Sequence, residues 1–258
     1  KISQECDEVL PECFNELLKQ ELKKGATAVH VRLNDKTCKG EPVVSQTAGS
    51  LGERGLVLST LDDAAQAFEG IDVSKYPIQM YAGASAVAMI ALLSAMLKAK
   101  GEKSKGLKGC IGADPVGTWI EQGTLPCSLD ALYDEMAHTL IWSEKHMPNL
   151  RTILVRGEVY HDGGANALQE LGYALTTAIE YIRAMQRRGM HVNQTAKQIR
   201  FSFSLGANFF MEVAKLRAAR VLWSRIVETF GGDEQARKMN IHARTSAFTK
   251  TVYDPYVN

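Results

Sequence analysis

The sequence has almost no charge bias: 30 Lys and Arg residues stand against 29 Asp and Glu, a formal net charge of +1. That balance supplies no field to gather polyphosphate, which excludes nucleic acid as the expected partner. Cysteine is sparse and carries no pattern. Cys6, Cys13, Cys38, Cys110 and Cys127 are odd in number, widely spaced and never form a C-x-x-C pair. This excludes a disulfide framework and a zinc site, and reads as reduced thiols in the cytoplasm. Long apolar runs are missing too. A membrane span needs ~18–20 apolar residues, and the best stretch, Ala84 to Leu97, is shorter and closes with Lys98. A buried helix is expected there, with no membrane partner. The chain begins Lys-Ile-Ser with neither a signal-type apolar segment nor an Arg/Ser-rich presequence, so its start reads as a processing boundary. G-x-G-x-x-G, Walker A, G-x-S-x-G and H-E-x-x-H are all absent, which removes support for Rossmann, P-loop, esterase and zincin chemistry.

What remains is an ordinary globular composition, 45% hydrophobic and 23% charged over 258 residues. Disorder, collagen-like order and a coiled coil are excluded. The length suits one α/β barrel of roughly 200–250 residues. Along the chain, β-like runs alternate with helical periodicity. The expected strands are Ala26–Leu33, Gly55–Thr60, Pro77–Gly83, Gly109–Asp114, Arg151–Arg156, Gln198–Leu205 and Met239–Ser246. The expected helices are Cys6–Lys24, Leu61–Phe68, Ala84–Lys98, Ser128–His146, Ala165–Arg188 and Asn208–Phe230, the last with Asn208 as N-cap and Gly231-Gly232 as stop. Lys36 to Gly52 reads as an exposed loop. The fold class is therefore α/β, a TIM-type (β/α)8 barrel truncated at about seven strands, and with no linker or repeat the chain reads as one domain, residues 1–258.

Parallel strands covered on both faces normally read as continuous aliphatic runs, yet these strands alternate. His30 and Arg32, Ser59, Gln79 and Tyr81, Ser202 and Ser204, and His242 and Arg244 each follow an apolar neighbour. Apolar alternates belong against the covering helices, so the polar ones should line the other face and make a wet bore. Tyr160-His161-Asp162-Gly163-Gly164 falls in the loop after its strand, where barrel chemistry sits. His161 is the candidate proton donor or acceptor there, with Asp162 the neighbour placed to set its tautomer. Arg244-Thr245-Ser246 ends the last strand, where a guanidinium suits a carboxylate, a phosphate or a structural salt bridge. His138 and His146 read as surface residues and no metal site is expected. Lys215, Arg217, Arg220 and Arg225 read as a solvated or partner-facing side of their helix.

The run Asn208 to Trp223, NFFMEVAKLRAARVLW, closely resembles a helix of the methylmalonyl-CoA mutase family. Tyr160-His161 with its Gly-rich turn and Leu171-Gly172-Tyr173-Ala174-Leu175, then His242-Ala243-Arg244-Thr245-Ser246, then Tyr253 to Asn258, match the same family in the same order. The match covers the C-terminal hundred or so residues; the first half is similar in its order of elements. The resemblance implies a barrel whose polar bore admits the pantetheine arm of a coenzyme A thioester. It further implies adenosylcobalamin at the C-terminal end and radical interconversion of methylmalonyl-CoA and succinyl-CoA. By residue match, His161 takes the place of the histidine that hydrogen-bonds the thioester carbonyl, and Tyr160 that of the tyrosine near the cofactor. Ser202, Ser204, His242 and Arg244 are the substrate-binding candidates.

Departures from the active pattern accompany the match. Gly112-Ala113-Asp114 stands where catalytic chains carry Gln-Asn-Asp, and Asp114 to Cys127 contains no Arg, although the family places a substrate-carboxylate Arg there. Arg244 replaces a Gln and Ala247 a Gly, and the cobalt-ligating Asp-x-His-x-x-Gly motif does not occur. The resemblance thus implies the non-catalytic small subunit of a heterodimeric mutase. Its partner would be the large catalytic subunit, with adenosylcobalamin in the whole enzyme and none on this chain alone. The alternative is a truncated catalytic acyl-CoA mutase barrel that uses His161; a non-mutase CoA-binding or carbohydrate-type barrel is the third reading. The chain stops where the family leads toward an eighth strand, so the expected sheet is open at that edge or closed by another copy.

Overall fold

A computed structural model describes residues 1–41, 54–251, 253, 254 and 257. In chain order the strands and helices are β1 (Glu5–Cys6), α1 (Pro11–Lys23), β2 (Val29–Arg32), α2 (Asp35–Lys39), α3 (Leu61–Ala67), β3 (Ile78–Tyr81), α4 (Ala86–Ala99), β4 (Gly109–Ala113), α5 (Pro115–Gln122), α6 (Leu129–His146), β5 (Leu150–Arg156), α7 (Gly157–Asp162), α8 (Ala167–Arg187), α9 (Val192–Gln198), β6 (Ile199–Leu205), α10 (Phe209–Thr229) and β7 (Asn240–Thr245). The strands form one sheet in the order β1-β2-β3-β4-β5-β6-β7, and the pairings β1–β2, β2–β3, β3–β4, β4–β5 and β6–β7 are parallel. Helices connect successive strands. The fold is of the TIM-type α/β class, with seven strands among the described residues. Among the described residues β1 and β7 each have one strand neighbour.

The expected number of strands is right although one member differs. Gly55–Thr60 makes only a bridge, Leu33 to Leu56, because its amides reach Asp7 and Val9 on one side and Arg32 on the other just past the strand ends. The seventh strand is instead β1, two residues long and too short to show alternation. Helices α5, α7 and α9 were not expected, and α7 occupies the segment read as a loop around His161. Most of the Lys36–Gly52 loop and half of the Tyr253–Asn258 match lie outside the described residues; Lys36 to Lys39 belongs to α2.

The chain divides into two compact units, residues 1–115 with 126–153, and residues 116–125 with 154–258. In the first, register places Glu5 beside His30, His30 beside Gln79, Gln79 beside Cys110 and Cys110 beside Arg151. The alternate row, Val31, Met80 and Ile111, belongs to the buried core with Phe14, Phe68 and Leu93. Phe14 of α1 meets Phe68 edge-on at 5.9 Å, and Asn15 donates to the carbonyls of Ala67 and Glu69 at the end of α3. That amide satisfies helix-end acceptors the core would otherwise leave bare.

In the second unit Phe201 stacks on Phe203 at 5.9 Å and meets Trp223 edge-on at 4.9 Å. These are the apolar alternates of β6, and they face α10. Lys215, Ala219, Trp223 and Val227 are the buried side of that helix, one i,i+4 row. Asn208 caps α10 through Met211 N–H and Gly231 follows with φ 82°, as the sequence predicts. Asn166 caps α8 by accepting from Leu168 and Gln169 while Gln169 returns to Asn166 N–H. Removing such a cap costs about 1 kcal/mol, so Asn166→Ala should lower the free energy of urea unfolding by that amount, seen as a lower midpoint with an unchanged slope. A midpoint within error of wild type would show that the cap is not used.

Candidate functional site

The site is built where α7 lies against β6 and β7, all within the second unit. Pairing sets Ser202 beside His242 and Ser204 beside Arg244. Because side chains alternate along a strand, these four share the face opposite the Phe201–Trp223 packing, and Ser246 is next on the same side. Gly157 lets α7 approach. A Cβ there would stand 2.8 Å from the Ser202 carbonyl oxygen and 2.9 Å from Glu170 Oε1. With Gly157 in place, Glu158 and His161, three apart on α7, project from one helix face.

His161 Nε2 lies 2.6 Å from Ser246 Oγ, and the Phe248 ring meets the imidazole edge-on at 5.3 Å. His161 Nδ1 is buried without a hydrogen-bond partner among the described residues. Ser202 Oγ lies 3.1 Å from His242 Nδ1. The Ser202 hydroxyl also serves Glu158, whose carboxyl is pushed up from 4.5 to about 7. Burial is the main cause, opposed by the positive charges of Arg156 and Arg244. Glu158 Oε2 has no hydrogen-bond partner. Arg156 is itself held by Glu121 of α5 at 2.8 Å. Arg156 thus has a carboxylate of the chain's own, while Arg244 acts on Glu158 through its charge.

The candidates therefore separate into three places. His161 belongs with Ser246 and Phe248; Ser202, His242 and Arg244 gather around Glu158. Tyr160 turns the other way, its hydroxyl bonded to Thr177 of α8 and its ring 5.4 Å from that of Tyr173. Ser204 Oγ is buried without a partner. Its backbone is what α8 and α10 hold: Ser204 N–H donates to Glu170 Oε1 at 2.8 Å, and Lys215 Nζ donates to Ser204 O and to Glu170 Oε2, both at 2.6 Å. Lys215 is 4% exposed, which corrects the expectation that it belongs to a solvated or partner-facing side. Glu158, Glu170 and Glu121 were not expected in the site. The i,i+3 spacing of Glu158 and His161 is the one sequence signal that could have drawn the first of them in.

Among the described residues no three His, Cys, Asp or Glu side chains gather as a metal cluster, and no helix is long and apolar enough to cross a membrane. The family model described as methylmalonyl-CoA mutase matches residues 1–258. The chain is 30% identical to methylmalonyl-CoA mutase of Cereibacter sphaeroides over 96% of its own length and 35% of that protein. It is 35% identical to the methylmalonyl-CoA mutase small subunit of Streptomyces virginiae over 81% of its length and 33% of that protein. To the large subunit from Propionibacterium freudenreichii subsp. shermanii it is 29% identical, over 83% of its length and 29% of that protein. It spans about a third of the length of the curated relatives it matches. Because the family model runs across the whole of the chain, and the site is assembled from the segments that match, the chain belongs to the methylmalonyl-CoA mutase family.

Proposed function

We propose that this chain is a small-subunit barrel of methylmalonyl-CoA mutase, a structural partner of the large catalytic subunit, and that residues 1–258 act as one mutase-type barrel domain. The whole enzyme would interconvert methylmalonyl-CoA and succinyl-CoA in the cytoplasm. The observation that carries this reading is the state of the arginines. Asp114 to Cys127 contains none, and Arg156 is matched by Glu121. An enzyme that positions a substrate carboxylate needs a guanidinium reserved for it, and the Asp114 to Cys127 stretch offers none. The Streptomyces relative named as a small subunit supports the same assignment. Exposed Phe210, Val213, Val221 and Leu222 on α10 are apolar surface of the kind another chain covers.

Adenosylcobalamin supplies radical chemistry when bound to a mutase, and the residues of this chain do not fit its usual cobalt ligation. His30 is beside Glu5 at 3.5 Å, His191 caps α9, His242 bonds Ser202 and His161 bonds Ser246. His146 stacks on Trp142, and none of these, nor His138, stands in an Asp-x-His-x-x-Gly run. We accordingly place the cofactor in the whole enzyme and give residues 1–258 no part in its cobalt ligation. The second reading, a catalytic barrel that uses His161, is favoured by one observation, the buried Nδ1 that no group among the described residues meets.

Turnover separates the two. With adenosylcobalamin and methylmalonyl-CoA the chain alone should give no succinyl-CoA, and it should co-elute with a large mutase subunit that is active in the complex. Turnover by the chain alone that collapses in His161→Ala would overturn the structural-partner reading.

A further inference from the structure

We infer that Ser246 is a positioning residue that holds His161 as its Nδ1–H tautomer, so that the imidazole presents one buried N–H donor to an acceptor on a bound molecule. The backbone of Ser246 is fully engaged. Its N–H donates to Leu205 O at 2.9 Å and its carbonyl accepts from Thr249 N–H at 3.1 Å and Thr249 Oγ1 at 2.7 Å. Its Oγ accepts from Phe248 N–H at 3.1 Å, as the cap of the Ala247–Thr249 turn. The side chain is therefore held in one rotamer at 1% exposure, and its hydroxyl has a single proton left to place.

His161 Nε2, 2.6 Å from that oxygen, is where the proton goes. If the hydroxyl donates, Nε2 is the acceptor, the neutral ring carries its proton on Nδ1, and one polar group is left over, the Nδ1–H. If instead Nε2–H donates to Oγ, two groups are left over: a buried hydroxyl proton and a bare Nδ1. Each buried polar group without a partner costs about 1–3 kcal/mol, so the first arrangement is preferred. The imidazolium form would orphan the hydroxyl proton in the same way. Asp162, the sequence neighbour expected to set the tautomer, is exposed and makes no bond to the ring, and Phe248 covers the imidazole edge-on. The remaining Nδ1–H is buried without a partner. It can bond a carbonyl oxygen and rejects a donor.

The nature of the acceptor rests on the mutase-type reading above, which makes it a thioester carbonyl; the tautomer does not. Nitrogen-15 NMR of the histidine-labelled full chain tests both. His161, assigned by its loss in His161→Gln, should show a protonated Nδ1 and a bare Nε2. Ser246→Ala should lose the single tautomer and give an averaged pair of nitrogen shifts, and Ser246→Thr, which keeps the hydroxyl, should restore it. A protonated Nε2 in the wild type, or the same tautomer in Ser246→Ala, overturns the inference. Acetyl-CoA should then move the Nδ1 resonance while S-ethyl-CoA, which lacks the carbonyl, leaves it in place. A correct tautomer that neither compound moves would overturn the thioester as ligand and leave the role of Ser246 standing.

Discussion

Lys215→Met should destabilise the chain by about 3–5 kcal/mol, because it strands a buried carboxylate. Lys215 Nζ lies 2.6 Å from Glu170 Oε2 and 2.6 Å from Glu212 Oε2, with side-chain exposures of 1%, 0% and 13% for Lys215, Glu170 and Glu212. Lys215 Nζ also donates to Ser204 O. Glu170 and Lys215 together hold the Ser204 backbone, standing in for sheet partners where β5 gives way to α7. Methionine fills the same volume and keeps the apolar stem packed, so the loss isolates the charge. Urea unfolding near neutral pH measures it. The companion variant Glu170→Gln with Lys215→Met removes both charges and should recover a large part of the loss, a coupling that independent sites would not show. A single-variant effect below about 1 kcal/mol would mean that the pair is solvated and not buried.

The same residues show what a sequence can and cannot carry. Helix caps are local, so Asn208 and Gly231 are readable where they stand, and so is the alternation of Ser202, Ser204, His242 and Arg244, since a strand side chain's face depends on parity alone. Pairs that depend on chain return are not readable in that way. Lys215 sits among apolar residues and looks like a solvated cation until Glu170, 45 positions away, is brought to it. His161 and Ser246, 85 positions apart, both lie in family-matching runs, yet spacing says nothing of their hydrogen bond. The Gly55–Thr60 and Glu5–Cys6 exchange has a similar cause: a bridge needs two partners of the right register, and a two-residue strand has no period.

Glu158 gives the other large effect, and it bears on the function. Its carboxyl sits at about 7 in the folded chain against 4.5 when exposed, a gap of roughly 3 kcal/mol between the protonated and ionised forms. Because the folded value is the higher one, the folded state holds more protons between those two points. Its contribution to stability is therefore complete below about 4.5, declines as pH rises toward about 7, and is gone above that. Glu158→Gln mimics the protonated form. It should match wild type near pH 4 and exceed it near pH 8 by up to about 3 kcal/mol, a net figure that already counts the attraction of Arg156 and Arg244 for the ionised carboxylate. Urea unfolding of both proteins at the two pH values gives the difference directly and cancels titrations elsewhere. Equal stability at the higher pH, or a variant that is weaker there than at the lower, would mean that the arginines hold Glu158 ionised. That outcome also has a functional reading. An ionised Glu158 would fully engage Arg244, whereas a largely protonated one would leave the guanidinium with charge to offer a bound carboxylate. The sign of this single difference thus tests how completely the chain has closed its own site.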